Sequence, residues 1–229
     1  MSRNPIDPSP DRFPRQLPIF PLAGVLLLPR GRLPLNIFEP RYLAMVEDAL
    51  AGDRMIGMVQ PTDPACRLRE PAVYGTGCAG RITSFAETED GRYIITLTGV
   101  SRFAIMRELD GQRGYRRVAA DWDRFSGDLI DPLERGGADG CGLDRARLLA
   151  GLKGYFKMQG LSVDWKAIDG TPDERLVTSL AMICPFSPSE KQALLETPDL
   201  PERAKLLIAL VEMAILDGHE GDGGNALRH

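Results

Sequence analysis

Apolar residues in the first quarter of the chain come in short runs, and each run stops at a proline or a glycine. Proline lacks a backbone donor and holds its predecessor extended, so this punctuation predicts short strands joined by sharp bends. The runs fall at residues 17–20, 25–28 and 32–38. Pro40 then stands where a first helical turn tolerates it. Leu43, Val46 and Leu50 recur at helical spacing until Gly52, which predicts a helix over Pro40–Ala51. From residue 54 to residue 125 the signals return to strand. A buried run covers 54–61, and Asp90-Gly91 suits a hairpin turn with positive φ. Behind that turn Tyr93, Ile95 and Leu97 alternate with Ile94, Thr96 and Thr98, and Gly99 marks a bend or bulge. The extended pattern resumes over 102–109, and 115–125 reads as one more strand. About seven strands with one helix inserted early predict an α+β protein. Its N-terminal part is expected to be a curved, mostly antiparallel sheet or a small barrel.

The character changes after residue 125. Residues 126–142 hold four glycines and no periodicity, and everything beyond reads as helix. Three helix starts carry a side-chain oxygen with Glu three residues on: Thr171 with Glu174, Ser187 with Glu190 and Asp199 with Glu202. The last helix, 201–216, presents Leu206, Leu207, Leu210, Val211, Ala214 and Ile215 on a wide apolar face, as a central bundle helix would. The predicted layout is a disordered arm (1–16), a β lobe (17–125), a connector (126–142), a helical bundle (143–216) and a flexible tail (217–229).

Composition narrows the setting. At 43% apolar and 26% charged the 229-residue chain is an ordinary globular protein. A net charge of −4 argues against non-specific binding to nucleic acid or anionic lipid. The four cysteines, Cys66, Cys78, Cys141 and Cys184, are scattered without a CxxC, which fits reduced thiols better than a disulfide framework. The longest unbroken apolar run near the start is 25–28, far short of the roughly 20 residues of a membrane helix. The polar, proline-rich first sixteen residues do not form a signal peptide. A cytoplasmic protein is expected.

Candidate chemistry is sparse. Gly75–Gly80 spells G-x-G-x-x-G, but it leads into a strand pattern rather than a helix N-terminus, and Arg81-Ile82 replaces the Lys-Ser/Thr pair of a phosphate loop. Glycines admitting close strand approach explain it better. His219 and His229 both lie in the predicted tail, where nothing would hold a general base. Ser187 and Ser189 lie near Lys191, but Ser187 is better explained as a helix cap. No Cys/His cluster has metal-ligand spacing. Arg113, Arg116 and Arg117 could contact phosphate, yet Asp121 and Asp123 follow and no aromatic run offers stacking. The acidic tip Glu87, Glu89, Asp90 reads as a solvated turn. No cofactor, metal or catalytic residue is assigned.

The segment LPIFPLAGVLLLPRGRLPLNIFEPRYLAMVEDAL (17–50) resembles the start of the amino-terminal, substrate-binding domain of the Lon protease family. YGTGCAGRI, DGRYIITLTGVSRFAI and the late EKQALLETPDLPERAKLLIAL are similar to further motifs of that family, in the same order. The resemblance covers residues 17–216 and looks like a stand-alone bacterial member, since neither the Lys-bearing phosphate loop nor the Ser–Lys peptidase of Lon is spelled here. It implies a PUA-like, mostly antiparallel β pseudo-barrel of six or seven strands, followed by a helical bundle. It also implies a non-catalytic polypeptide-binding protein, an adaptor or modulator in proteolytic quality control. The implied partners are unfolded or tagged polypeptides and Lon protease itself, through an apolar groove or patch. Phe38, Arg41 and Tyr42 are the candidates for its edge. The competing reading packs Phe38 and Tyr42 in the core and pairs Arg41 with Glu39. RNA binding by analogy of fold, or binding of a small molecule, are the alternatives.

Overall fold

The computed structural model describes residues 13–130, 143–160 and 164–223, with side chains to residue 217. The chain divides into two compact units, Met1–Asp131 with Ser187–Glu196, and Pro132–Phe186 with Thr197–His229.

The first unit is built on six strands: β1 (Gln16–Pro21), β2 (Arg32–Ile37), β3 (Met55–Val59), β4 (Thr76–Glu87), β5 (Tyr93–Gln112) and β6 (Tyr115–Asp121). Helix α1 (Pro40–Ala51) follows β2, and a 3-10 helix (Asp123–Leu129) follows β6. β5 is twenty residues long, and its length organises the sheet. Its first half pairs with both β2 and β4, and its second half pairs with β6. The series β5-β4-β3-β1-β6 returns to β5 and forms a near-barrel ring, while β2 lies outside it with β5 as its single strand partner among the described residues. The β1–β3 pair is parallel and the others are antiparallel. An α+β protein with one early helix is what the sequence predicts.

Leu17, Ile19, Met55, Ala79, Phe103 and Val118 form the centre of this unit's core. Gly77 shows why β4 carries glycine within the Gly75–Gly80 motif. A Cβ there would stand 2.7 Å from both the Met58 carbonyl oxygen and the Phe103 ring. Gly99 sits where β5 slips register against β4, pairing with Gly80 while Ser101 pairs with Ala79. Its N–H donates to the Gly31 carbonyl, and its own carbonyl accepts from Arg30 N–H, both at 2.8 Å. A Cβ at Gly99 would fall 2.0 Å from the Leu28 carbonyl oxygen, so only glycine admits that approach.

Helix α5 (Pro188–Glu196) belongs to this sheet unit although it begins 67 residues after the last strand ends at Asp121. Its capping box forms: Ser187 N–H donates to Glu190 Oε2 (2.7 Å), and Glu190 N–H donates to Ser187 Oγ (3.3 Å). Buried polar groups seat it. Gln60 Nε2 donates to the Pro188 carbonyl at 3.0 Å, Gln192 Nε2 to the Thr76 carbonyl at 3.2 Å, and Lys191 Nζ to the Gly24 carbonyl at 2.9 Å. At the other end Arg102 Nη1 donates to the Leu195 carbonyl at 3.1 Å, a cation on the last turn of a helix.

The second unit holds α2 (Arg145–Met158), α3 (Trp165–Asp169), α4 (Asp173–Ile183) and α6 (Leu200–Gly223). Leu148, Leu152 and Tyr155 of α2, Leu176, Val177 and Leu180 of α4, and Leu207 and Val211 of α6 are buried. Asp144 caps α2 by accepting from Arg147 N–H, and Asp199 accepts from Glu202 N–H at the start of α6.

Several expectations change. Residues 25–28 form no strand, although Leu26, Leu27 and Leu28 are buried, so the described residues hold six strands where the pattern gave about seven and the resemblance six or seven. An apolar run of four residues carries no periodicity that separates a strand from a buried loop. The last strand ends at Asp121, and Phe125 lies in the 3-10 helix. Thr171 does not cap α4, whose N-cap is Pro172; its hydroxyl instead donates to the Ala167 carbonyl of α3. Within the predicted arm, Phe13 is buried and stacks on Trp122 with centroids 4.7 Å apart, and β1 begins at Gln16. Helix α6 runs through Gly223, seven residues beyond its predicted end. The predictions for residues 1–12, 131–142 and 224–229 lie outside the described residues.

Candidate functional site

The strand-to-helix junction after β2 places the three candidate residues differently. Pro40 opens α1 at its first position, with Glu39 as an extended N-cap. Tyr42 is buried, its ring 4.2 Å from that of Phe20, and burial raises its phenol above the ordinary range against the pull of Arg41. Arg41 bonds Glu39 at 3.0 Å through Nε and donates through Nη1 to the Arg69 carbonyl at 2.9 Å. Its guanidinium lies 4.5 Å from the centre of the Tyr42 ring. Phe38 alone of the three faces solvent, with 64% of its surface accessible. Tyr42 thus packs in the core and Arg41 pairs with Glu39, whereas Phe38 is exposed instead of packed.

Further exposed apolar side chains lie on the two strands next to β2, on opposite faces of the sheet. Phe85 of β4 and Ile94 of β5 are exposed, and the Phe85 ring meets the Tyr93 ring edge-on at 5.0 Å. Leu33 and Leu35 of β2 are only half-buried, although they pair with the buried Leu97 and Ile95. They are half-covered because β2 is an edge strand. That is a property of topology, and the signal for it was the uninterrupted length of the β5 pattern beyond Gly99.

The β4–β5 hairpin tip beside this surface is acidic. Asp90 pairs with Arg92 at 2.8 Å, and hydrogen bonds from Arg92 and Thr88 hold its carboxyl down to about 2. Glu87 and Glu89 form no ion pair among the described residues. Tyr93 lies between tip and helix, its hydroxyl donating to Glu47 of α1 at 3.2 Å.

The three arginines considered for phosphate are engaged by the protein's own oxygens. Arg113 pairs with Glu47 (2.7 Å) and Asp48 (2.8 Å), Arg116 with Glu108, and Arg117 donates to the Asp110 carbonyl. All of Gly75–Gly80 but its first residue lies within β4, so the motif opens no helix. Among the described residues no cluster of three His, Cys, Asp or Glu could hold a metal ion, and no helix is long and apolar enough to cross a membrane. What the surface offers is a strand edge, apolar side chains on either side of it, and carboxylates at one end.

Residues 16–213 match the ATP-dependent protease La (LON) substrate-binding domain. Lon protease 2 of Sorangium cellulosum is 30% identical over 220 residues, covering 92% of this chain and 26% of that protein. Lon protease 2 of Myxococcus xanthus is 27% identical over 204 residues, covering 87% of this chain and 24% of that protein. The chain thus spans about a quarter of the length of these curated relatives. Among solved structures, a Lon N-terminal domain protein from Xanthomonas campestris matches with a TM-score of 0.56 at 25% identity, covering 85% of this chain and 97% of that one. The N-terminal domain of a Mycobacterium avium complex Lon protease shares the fold, with a TM-score of 0.58 at 19% identity over 86% of this chain and 98% of that one.

Proposed function

This chain belongs to the family of Lon protease substrate-binding domains, and from that premise we propose that it binds polypeptides without transforming them. Its clients are unfolded or tagged chains, and its role is that of an adaptor or modulator in protein quality control, with Lon protease as a further partner. The observation that carries this reading is the family match over residues 16–213, nearly the whole chain, to a domain described as substrate-binding. The exposed Phe38, Phe85 and Ile94 support it, because unfolded chains differ from folded ones in offering apolar side chains and free backbone groups. Fluorescence anisotropy with a labelled, permanently unfolded protein such as reduced and carboxymethylated α-lactalbumin tests it. Saturable binding is expected, with none to the same protein in its native, disulfide-bonded form. Equal binding to both forms, or binding to neither, would count against the reading.

A further inference from the structure

We infer that the free edge of β2 is the place where an extended polypeptide docks, by adding a strand to the sheet; this rests on the polypeptide-binding reading above. The hydrogen-bond parity of β2 can be read from its entry turn. Gly99 N–H donates to the Gly31 carbonyl, and the register then pairs Leu33 with Leu97, Leu35 with Ile95 and Ile37 with Tyr93. Bonded and non-bonded pairs alternate along an antiparallel ladder. Gly31, Leu33, Leu35 and Ile37 therefore bond β5, while Arg32, Pro34 and Asn36 turn their backbone groups away from it. Pro34 fits this assignment independently, since it has no N–H to give and stands where none is needed by the ladder. The outward side thus presents the N–H of Arg32 and Asn36 and the carbonyls of Arg32, Pro34 and Asn36. All three residues are exposed, and no backbone bond from the described residues reaches them.

Side chains around the edge match an added strand on both faces. On one face Leu33 and Leu35 are half-buried and lack the neighbour that would finish covering them. On the other, Pro34 and Ile94 are exposed, and Phe38 lies just beyond the strand's end. An incoming strand alternates its side chains between these two faces. The charges fix a preference along it. Glu87 and Glu89 at the hairpin tip lie toward the Ile37 end, because Glu87 pairs with Tyr93 and Tyr93 with Ile37. Arg32 marks the other end. The occupant is therefore an extended apolar segment with Lys or Arg at the end that meets the tip. A second copy of this chain fits less well: paired antiparallel about its centre, β2 would set Pro34 against Pro34 and forfeit both bonds of that pair.

Residue-resolved amide exchange by NMR on the full chain tests this, with a twelve-residue peptide of alternating valine and threonine ending in two lysines. At saturation the Arg32 and Asn36 amides should slow at least tenfold, while those of Leu33, Leu35 and Ile37, already bonded to β5, change little. Asn36→Pro removes one outward donor and no ladder bond, and should weaken the peptide about tenfold. Met106→Ser, which removes another exposed apolar residue on the far half of β5, should leave it unchanged. Unaltered exchange at Arg32 and Asn36 under saturating peptide would overturn the edge and leave polypeptide binding standing. So would full affinity in Asn36→Pro. Absence of binding to both this peptide and an unfolded protein would remove the underlying reading as well. Slow exchange of the two amides without peptide, rising with protein concentration alongside a dimer in sedimentation, would assign the edge to a second copy instead. The wild-type exchange measurement decides even if the proline variant folds poorly.

Discussion

Strand β5 passes through two contrasting neighbourhoods. Around Gly99–Phe103 both polar side chains, Ser101 and Arg102, are tied. Arg102, 4% exposed, makes a two-point contact with Asp128 (Nε to Oδ2 2.9 Å, Nη2 to Oδ1 2.8 Å), and its backbone N–H also donates to Oδ2 at 3.0 Å. The same guanidinium reaches the end of α5 and lies 4.7 Å from the centre of the Phe125 ring. Immediately before it, over Tyr93–Thr98, the strand carries β2, whose far side bonds no described backbone. One neighbourhood joins four segments distant in sequence, and the other leaves hydrogen-bonding valence at the surface. Stability belongs to the first and recognition to the second, so mutations should separate the two properties.

The largest effect is expected at Arg102. Arg102→Ala leaves Asp128 buried and uncompensated and takes a partner from the Leu195 carbonyl, which should cost about 3–5 kcal/mol. Replacing both partners by apolar residues, Arg102→Met with Asp128→Leu, should recover most of that loss, because the desolvation penalty of both charges disappears. Urea unfolding of the single and double variants measures this. A loss under about 1 kcal/mol for the single variant would break the contrast, since such values belong to exposed ion pairs. Gly99→Ala comes next. Its Cβ meets a backbone oxygen rather than the end of a flexible side chain, so the 28–31 turn must move away from β5, at about 3 kcal/mol. Because Gly31 bonds Gly99 and leads directly into β2, this variant should also speed amide exchange in Leu33 while leaving α2 and α6 unchanged.

The sequence exposed these neighbourhoods unequally. Helix α1 was legible to the residue, because Pro40 and Gly52 bracket it with backbone chemistry that acts locally. Its buried face was not: Tyr42, Met45, Val46 and Ala49 point inward, whereas the pattern had offered Leu43, Val46 and Leu50. A helix with apolar residues on most sides does not announce which stripe its neighbours will cover. The bulge at Gly99 and the cap at Ser187 were legible for the same local reason. The destination of α5 was not, since its anchors Gln60, Thr76 and Arg102 lie 90 or more residues away and polar matches at that distance leave no periodic trace. Phe38 shows the converse limit. A large aromatic beside a helix start usually packs, and here it is exposed because β2 is an edge strand, which only the pairing of β5 decides. The half-exposed Leu33 and Leu35 escaped notice for that reason too.

The smallest effect concerns the far end of β5. The Tyr115 hydroxyl, at the start of β6, donates to Asp48 of α1 at 2.8 Å, and Arg113 holds the same carboxylate. Burial, reinforced by the Asp48 hydrogen bond, pushes the Tyr115 phenol up to about 12 from an ordinary 10.0. The folded state thus favours the neutral phenol. Its stabilising contribution is complete below pH 10.0 and is lost as the pH rises toward about 12. Wild-type stability should therefore fall more steeply across that window than the stability of Tyr115→Phe, which has no proton to release. Tyr42 and Tyr93 are also raised, and they contribute equally to both proteins. Urea midpoints at several alkaline pH values, with phenolate absorbance followed in parallel, give the difference directly. Equal slopes would mean that the hairpin between β5 and β6 is not tethered to α1 through Tyr115, and that Gly99–Phe103 is the held part of β5 set against the part that carries the free edge.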